Sequence, residues 1–202
     1  DEDIVRFAAE IHKNSNRLLT LINDIIRLSE LDQVEEQNCF EELDIYDIAQ
    51  NCVEMLRLSA KKHDVTMELH GVHRIICANR QMMDELVYNL CDNAIRYNNP
   101  GGRVDITVDA AVAFDKTAET GATIIEVKDT GIGISKEHQE RIFERFYRVD
   151  KSRSKSTGGT GLGLAIVKHI VAAHKNASLS LTSEPGKGTC IRVDFKMKTN
   201  LE

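Results

Sequence analysis

Two asparagines one helical turn apart mark a segment whose apolar pattern predicts a helix. Asn89 and Asn93 share one face of the predicted helix 80–97, with Arg96 and Tyr97 one turn further on. Asparagine is disfavoured inside helices, so two on one face need an explanation. An amide oxygen is a hard, neutral ligand of the kind that Mg²⁺ accepts. The pattern predicts a magnesium site, and a plain solvent-exposed face is the alternative.

A glycine-rich stretch opens another predicted helix, 162–174. It reads Gly158-Gly159-Thr160-Gly161-Leu162-Gly163-Leu164. Glycines let backbone N–H groups approach a ligand, and a helix N-terminus favours anions, so the stretch is a candidate phosphate site. Leu164 stands where a dinucleotide-binding fingerprint needs glycine and where a P-loop needs lysine, which excludes both motifs. A flexible loop without a ligand is the alternative.

An aspartate followed by two glycines lies at the end of a predicted strand. Asp129 precedes Gly131 and Gly133 in the run Asp-Thr-Gly-Ile-Gly-Ile. A carboxylate at a strand end can accept a hydrogen bond from a ligand amine, and the glycines are interpreted as leaving room for a flat ring. A turn capped by the aspartate is the alternative.

A basic segment stands out against an acidic chain. The net charge of −6 argues against indiscriminate binding to nucleic acid or to an anionic membrane. The segment 141–155, however, contains six basic residues and only two acidic ones. This contrast indicates one particular anionic ligand, with a solvated loop as the alternative. The basic residues are Arg141, Arg145, Arg148, Lys151, Arg153 and Lys155.

The elements that hold these residues belong to a chain of ordinary globular composition. Of 202 residues, 42% are hydrophobic and 29% are charged, which argues against wholesale disorder. No apolar run approaches the ~20 residues that a membrane helix needs, so we expect any membrane attachment to lie outside this chain. The five cysteines are scattered along the sequence. We interpret them as small core residues and expect the protein to reside in a reducing cytoplasm.

The N-terminal segment predicts one long helix with two apolar rows. A helix that is apolar on more than one side needs neighbours on more than one side, as in a helix bundle. The polar run 32–38 breaks the pattern and predicts a linker, so we expect domains at 1–33 and 34–202. The rows consist of Ile11, Leu18, Ile22 and Ile25, and of Leu19 and Ile26.

The rest of the chain mixes helices and strands. Asp44 can cap a helix that runs to about Lys61. The strands 65–69 and 74–78 are expected to be joined around Gly71, and 104–108 is expected to form a hairpin with 122–128. Two further strands, 178–182 and 189–196, end the pattern. The order predicts an α+β fold with a mostly antiparallel sheet and helices on one face.

Taken in order, four motifs resemble the N, G1, F and G2 boxes of bacterial sensor histidine kinases. The segment 17–32 is also similar to the second helix of their dimerisation and phosphotransfer domain. The resemblance implies an α/β sandwich of the gyrase, Hsp90, histidine kinase and MutL type, preceded by one long N-terminal helix. The motifs are Asn89-x-x-x-Asn93, Asp129-x-Gly131-x-Gly133, Ile142-Phe143-Glu144-Arg145-Phe146-Tyr147-Arg148 and Gly159-Thr160-Gly161-Leu162-Gly163-Leu164.

The resemblance also implies roles at the matching positions in binding Mg²⁺ and ATP. Asn93 corresponds to the Mg²⁺ ligand, assisted by Asn89. Asp129 corresponds to the residue that recognises adenine. Arg148 corresponds to an arginine near the terminal phosphate and has a catalytic role with Asn89. Further contacts with ATP are expected from Arg96, Tyr97, Gly131, Gly133, Thr160, Gly161, Leu162, Gly163 and Leu164, and from Lys151 and Arg153 in a mobile lid over 150–159.

Arg96 departs from the family, which usually has a phosphate-contacting lysine at this place, and arginine presents a fork of donors instead of a point charge. The family's phosphoacceptor segment is absent as well, because His12 is followed by Lys13-Asn14-Ser15-Asn16 and neither Pro100 nor Pro185 fits its pattern. We therefore expect a truncated kinase that binds ATP and does not phosphorylate itself.

The implied function is transfer of the γ-phosphoryl group of Mg·ATP to a histidine, for relay to an aspartate of a response-regulator receiver domain. The implied partners are ATP, the phosphoacceptor helix of the same protein and a second copy in a homodimer, and no nucleic acid. The fragment is expected in the cytoplasm, with the full-length protein anchored in the bacterial plasma membrane.

Two other functions are compatible with parts of the pattern. An ATP-hydrolysing relative of the gyrase type needs a water-activating glutamate where Asn89 stands, and an amide cannot act as a base. A non-catalytic nucleotide-sensing or docking module is the other alternative, and the intact N, G1 and G2 boxes argue against it.

Overall fold

The structure is a computed structural model that describes residues 2–37, 40–110, 122–149 and 159–196. Helices and strands alternate along most of its length. In chain order, the elements are α1 (Glu2–Gln37), β1 (Glu41–Asp44), α2 (Ile45–Lys62), β2 (Val65–Gly71), β3 (Ile75–Ala78), α3 (Arg80–Arg96), β4 (Gly102–Ala110), β5 (Thr123–Asp129), α4 (Lys136–Gln139), a 3₁₀ turn (Arg141–Phe143), α5 (Gly163–Ala173), β6 (Ala177–Glu184) and β7 (Gly188–Phe195).

A five-stranded sheet in the order β2-β4-β5-β7-β6 forms the base of the fold. The β4–β5 and β6–β7 pairs are antiparallel, and the first of them confirms the predicted hairpin. β5 and β7 are also antiparallel, whereas β2 runs parallel to β4, with Val65 opposite Gly102. Since β5 lies in the middle of the sheet, its last residue, Asp129, is held between two neighbouring strands.

β2 and β3 follow each other around Gly71 as expected, but they do not pair, because the two strands belong to different sheets. β3 pairs with β1 in a separate two-stranded sheet. β1 was not predicted, since its sequence Glu-Glu-Leu-Asp offers a single apolar side chain. Gly71 has φ +109°, and a β-carbon there would overlap the carbonyl oxygen of Val108, so this glycine permits close approach of β2 to β4.

Helix α3 lies between α2 and α5 and also contacts β4 and β5. The three helices therefore form one layer against the sheet, as the pattern predicts. Leu86 and Leu90 on α3 are 0% and 1% exposed, and burial of each such side chain stabilises the fold by about 1.5–3 kcal/mol. Because this apolar stripe faces the core, the asparagine positions of α3 are held at the edge of the core.

Helix α1 continues to Gln37, past the predicted end at residue 33. The segment Asp-Gln-Val-Glu-Glu-Gln contains good helix formers and neither glycine nor proline, so nothing local ends the helix earlier. The domain boundary itself stays a prediction. The apolar rows of α1 are exposed over 49–67% of each side chain. Within the described residues, no helix combines the length and the hydropathy that crossing a bilayer requires.

Candidate functional site

The asparagine face of α3 lies against the start of α5. A β-carbon on Gly163 would stand 2.8 Å from Asn89 Oδ1 and 3.2 Å from Asn93 Nδ2. The glycine stretch and the asparagine pair, 70 residues apart in sequence, therefore form one wall. The α5 N-terminus adds the partial positive charge of its backbone N–H groups to this wall.

Both amide groups are oriented by hydrogen bonds to the helix itself. Asn89 Nδ2 donates to the Glu85 carbonyl oxygen at 2.8 Å, and Asn93 Nδ2 donates to the Asn89 carbonyl oxygen at 2.8 Å. Because both Nδ2 atoms donate to backbone carbonyl oxygens of α3, the Oδ1 atoms are the groups that can act as hydrogen-bond acceptors or as metal ligands. Two neutral oxygens that leave room for waters and phosphate oxygens fit the coordination of Mg²⁺.

At the C-terminal end of α3, Arg96 pairs with an acidic residue of its own helix. Its Nε atom lies 2.6 Å from Asp92 Oδ2, and the two side chains are 27% and 17% exposed. Any phosphate that contacts Arg96 must therefore share it with Asp92. The next residue, Tyr97, ends the helix, and its carbonyl oxygen accepts a hydrogen bond from the Ile132 N–H at 3.1 Å. The end of α3 thus anchors the loop after β5.

Asp129 is a buried carboxylate whose position is set by two backbone groups. Its Oδ1 accepts from the Gly131 N–H at 2.8 Å and from the Thr189 N–H at 3.2 Å. Burial raises the pKa of this carboxyl above its ordinary value, while these two hydrogen bonds act in the opposite direction. Both bonds use Oδ1, so Oδ2 can accept a hydrogen bond from the amino group of a ligand.

The two glycines after Asp129 allow close packing of the loop, and the interpretation that they also leave room for a flat ring stays a prediction. A β-carbon on Gly131 would overlap the carbonyl oxygen of Tyr97, and one on Gly133 would overlap that of Glu184. The loop therefore fits tightly between the end of α3 and the β6–β7 turn. Gly133 also has φ +66°, which favours glycine. That either residue contacts ATP stays a prediction.

The segment that follows the 3₁₀ turn packs on the glycine stretch. The Phe146 N–H donates to the Gly161 carbonyl oxygen at 3.0 Å, and Phe146 itself has φ +65°. A β-carbon on Gly161 would lie 3.0 Å from the carbonyl oxygen of Tyr147. The close approach of these two segments thus depends on Gly161, whose φ is +79°.

This packing brings Arg148 and Tyr97 to the beginning of the glycine stretch. The position of a β-carbon on Gly159 is 3.4 Å from the Tyr97 hydroxyl oxygen and 3.9 Å from Arg148 Nη2. A cation and an aromatic ring from two different segments therefore meet at one glycine. Their predicted contacts with the phosphates and the base of a nucleotide remain predictions.

Three predicted contact residues differ in what their side chains can offer. Leu162 is fully buried, and Leu164 packs against the core, so contacts from either with a ligand must come through the backbone. Thr160 Oγ1 accepts from the Leu162 N–H at 3.3 Å, which helps to shape the turn. The predicted lid contacts, Lys151 and Arg153, fall outside the described residues.

Two residues of this region were missed by the sequence reasoning. Asp92 precedes Arg96 by four residues, a spacing that signals a helical ion pair and could have been recognised. Thr189 holds Asp129 through its backbone N–H, and no local pattern marks it because the contact spans 60 positions. The arrangement as a whole combines neutral oxygen ligands, an anion-attracting helix end, two arginines and a buried acceptor. Such a set suits a purine nucleotide with several phosphates.

Comparison with known proteins agrees with this chemistry. Residues 78–199 match the family described as "Histidine kinase-, DNA gyrase B-, and HSP90-like ATPase". The sensor-like histidine kinase SenX3 of Mycolicibacterium smegmatis is 38% identical over 192 residues, which cover 94% of this chain and 47% of SenX3. The sensor histidine kinase RppB of Synechocystis sp. is 39% identical over 187 residues, covering 92% of the chain and 39% of RppB.

The chain therefore spans less than half the length of these two relatives. Among solved structures, the mycobacterial sensor histidine kinase MprB superimposes with a TM-score of 0.63 at 26% sequence identity. That match covers 77% of this chain and 96% of the MprB chain.

Proposed function

Because this chain belongs to the histidine kinase-, DNA gyrase B- and HSP90-like ATPase family, we propose that it is the ATP-binding catalytic portion of a sensor histidine kinase. It binds Mg·ATP between the asparagine face of α3 and the glycine stretch, and it passes the γ-phosphoryl group to a histidine of another segment. The similarity to named sensor histidine kinases supports this choice within the family.

The observation that carries the proposal is the contact of Asn89 and Asn93 with Gly163. It joins two motifs that are distant in sequence, so that oxygen ligands and a phosphate-binding helix end face one space. An amide stands where a hydrolase of this family needs a carboxylate base, which supports phosphoryl transfer over hydrolysis.

The residues of this chain divide the work between recognition and placement. Asp129 accepts a hydrogen bond from the adenine amino group, and Arg148 and Arg96 compensate phosphate charge. Asn93, assisted by Asn89, offers oxygen ligands to Mg²⁺, which when bound neutralises charge on the phosphates. Phosphoryl transfer needs placement and charge compensation more than covalent assistance. The acceptor imidazole nitrogen bonds to the γ-phosphorus as the bond from that phosphorus to ADP breaks.

The partners follow from the same proposal. The exposed apolar rows of α1 are a surface for the phosphoacceptor helix and for the helices of a second copy in a homodimer. A response-regulator receiver domain takes the phosphoryl group from the histidine. The protein works on the cytoplasmic side of the bacterial plasma membrane, to which the full-length kinase is anchored.

Calorimetric titration with Mg·ATP tests the binding step. We expect the unmodified chain to bind, and Asn93→Ala to bind at least about tenfold more weakly because an oxygen ligand is lost. Asn51→Ala is the matched control, since Asn51 is an exposed asparagine on α2, away from the site. Equal weakening by both variants, or equal binding by all three proteins, contradicts the proposed site.

Transfer of labelled phosphate tests the reaction. The chain is mixed with γ-labelled ATP and with a separately produced helical hairpin of a similar sensor histidine kinase that carries the acceptor histidine. Label is expected on the hairpin, in an acid-labile form, and not on this chain. Steady hydrolysis at about 1 s⁻¹ or faster without the hairpin would instead identify an ATPase.

A further inference from the structure

The ion pair of Asp92 and Arg96 differs from an ordinary surface pair. Its atoms approach to 2.6 Å, and about three quarters or more of each side chain is covered. Charges interact more strongly where water is excluded, so this pair affects its surroundings more than an exposed pair does. It also lies in the turn that contains Asn93, within the region to which the proposed function assigns the phosphates.

We propose that Asp92 is a specificity-determining residue that makes the site prefer ATP complexed with a divalent cation over free ATP. This inference rests on the proposed function. Asp92 places a negative charge beside the one basic residue that α3 contributes to the site. A phosphate that approaches Arg96 must approach the carboxylate as well.

The same charge acts in opposite ways on the two forms of the nucleotide. Free ATP carries more negative charge than Mg·ATP and is repelled more strongly by Asp92. A divalent cation held at Asn89 and Asn93 is attracted by Asp92, which lies three positions after the first and one before the second. Both effects widen the difference in affinity between the complexed and the free nucleotide.

Arginine at position 96 suits this role better than lysine. A guanidinium has five N–H donors in a rigid fork, so one part of it can stay beside the Asp92 carboxylate while a phosphate contacts another nitrogen. A lysine ammonium would move from one partner to the other. In this chain, Arg96 has an acidic partner four residues earlier on the same helix.

The test measures the affinity of the whole chain for ATP with Mg²⁺ and with a chelator, by displacement of a fluorescent ATP analogue. Asp92→Asn is expected to tighten binding of metal-free ATP about threefold to tenfold and to narrow its difference from Mg·ATP. Asp84→Asn is the matched control, because Asp84 pairs with Arg80 on the same helix at 3.8 Å and in an exposed position. This control should change neither affinity by more than about twofold.

A second pair of variants assigns the effect to Arg96. In the Arg96→Gln background, Asp92→Asn should change the affinity for metal-free ATP less than it does with arginine present. Weaker or unchanged binding of metal-free ATP by Asp92→Asn, or an equal change in Asp84→Asn, overturns the inference and leaves the proposed function standing. If the folded, unmodified chain binds neither form of ATP, both are overturned. Thermal unfolding establishes that each variant is folded.

Discussion

Asn89 Oδ1 lies 2.8 Å from the point where a β-carbon on Gly163 would stand. Helices α3 and α5 thus meet through an amide on one side and a missing side chain on the other. A side chain added at Gly163 on α5 would therefore act directly on the Asn89 amide of α3.

Gly163→Ala should separate stability from binding. Alanine favours a helix interior over glycine by roughly 0.5–1 kcal/mol. Gly163 is the first residue of α5, and displacement of the Asn89 amide opposes this gain, so the melting temperature should change little. The new methyl group must displace the Asn89 amide, so the affinity for Mg·ATP should fall about tenfold. Thermal unfolding and calorimetry measure the two effects. Lys168→Ala, at an exposed position of α5, is the control and should leave affinity unchanged. Unaltered affinity in Gly163→Ala would show that the Asn89 oxygen has no part in binding.

Asp129→Asn should preserve the fold and impair recognition of the nucleotide. The asparagine Oδ1 can still accept from the N–H groups of Gly131 and Thr189, while the buried charge disappears. Affinity for ATP should fall about tenfold to a hundredfold, as expected for loss of a hydrogen bond to a charged group.

The stability of Asp129→Asn relative to the unmodified chain should depend on pH. Since burial raises the pKa of Asp129 in the folded state, the folded chain holds this proton more tightly than the unfolded chain does. The free energy of unfolding of the unmodified chain therefore falls as the pH rises from 3.8, the pKa of this carboxyl in the unfolded chain, through its higher pKa in the folded chain. Urea unfolding at several pH values should show the variant gaining relative stability over this window and keeping it at neutral pH. A variant that is less stable at neutral pH would contradict this reasoning.

His174 should make the fold sensitive to mild acid. Its ring is 1% exposed, lies between Phe40 and Phe195, and leaves Nε2 buried without a hydrogen-bond partner. Burial lowers the pKa of this imidazole below its ordinary 6.5. The unfolded chain then binds the proton more readily, so stability is full above about pH 6.5 and declines as the pH falls below it.

His174→Leu should flatten this part of the dependence of unfolding free energy on pH. The measurement is urea unfolding between mildly acidic and neutral pH. His12→Gln on α1, where the side chain is exposed, is the control and should keep the slope. An equal slope in His174→Leu and the unmodified chain would assign the acid sensitivity to other groups.

Two glycines with similar backbone angles should differ in their tolerance of alanine. Gly133 has φ +66° and Gly186 has φ +79°, so an alanine at either position would carry the strain of a left-handed residue, about 1–2 kcal/mol. A β-carbon on Gly133 also overlaps the carbonyl oxygen of Glu184, whereas one on Gly186 has nothing within 4 Å. Gly133→Ala should therefore lower the free energy of unfolding clearly more than Gly186→Ala does. Equal losses in urea unfolding would mean that the β5 loop can move away from the β6–β7 turn.

Local patterns were sufficient where a contact lies within one element or one hairpin. The cap at Asp44, the helix that carries Asn89 and the β4–β5 hairpin follow from residues close in sequence. The pairing of strands that lie farther apart in the sequence could not be predicted from local patterns. Nothing near β2 indicates that it pairs with β4 across the intervening β3 and α3, and nothing near β1 indicates a partner in β3.

The same limit applies to the candidate site. The chemistry of Asp129 could be proposed from its place at a strand end. The purpose of Gly131 could not, because it depends on a carbonyl group at the end of another helix. Leu162 matched a motif, but its burial follows from how α5 meets α3 and the sheet. Spacing thus identified the participants, while tertiary packing decided which atoms they present.

The parallel alignment of β2 with β4 has a consequence for the folding of α3, the helix that carries Asn89 and Asn93. Two neighbouring parallel strands require a long crossover, and here that crossover contains α3. Closing it demands contacts between residues far apart in the chain, which form slowly because loop entropy must be overcome first. Asn89 and Asn93 therefore lie within a crossover whose two ends are joined by the β2–β4 pairing. Because α3 rests on β4 and β5, the positions of both asparagine amides depend on these two strands together.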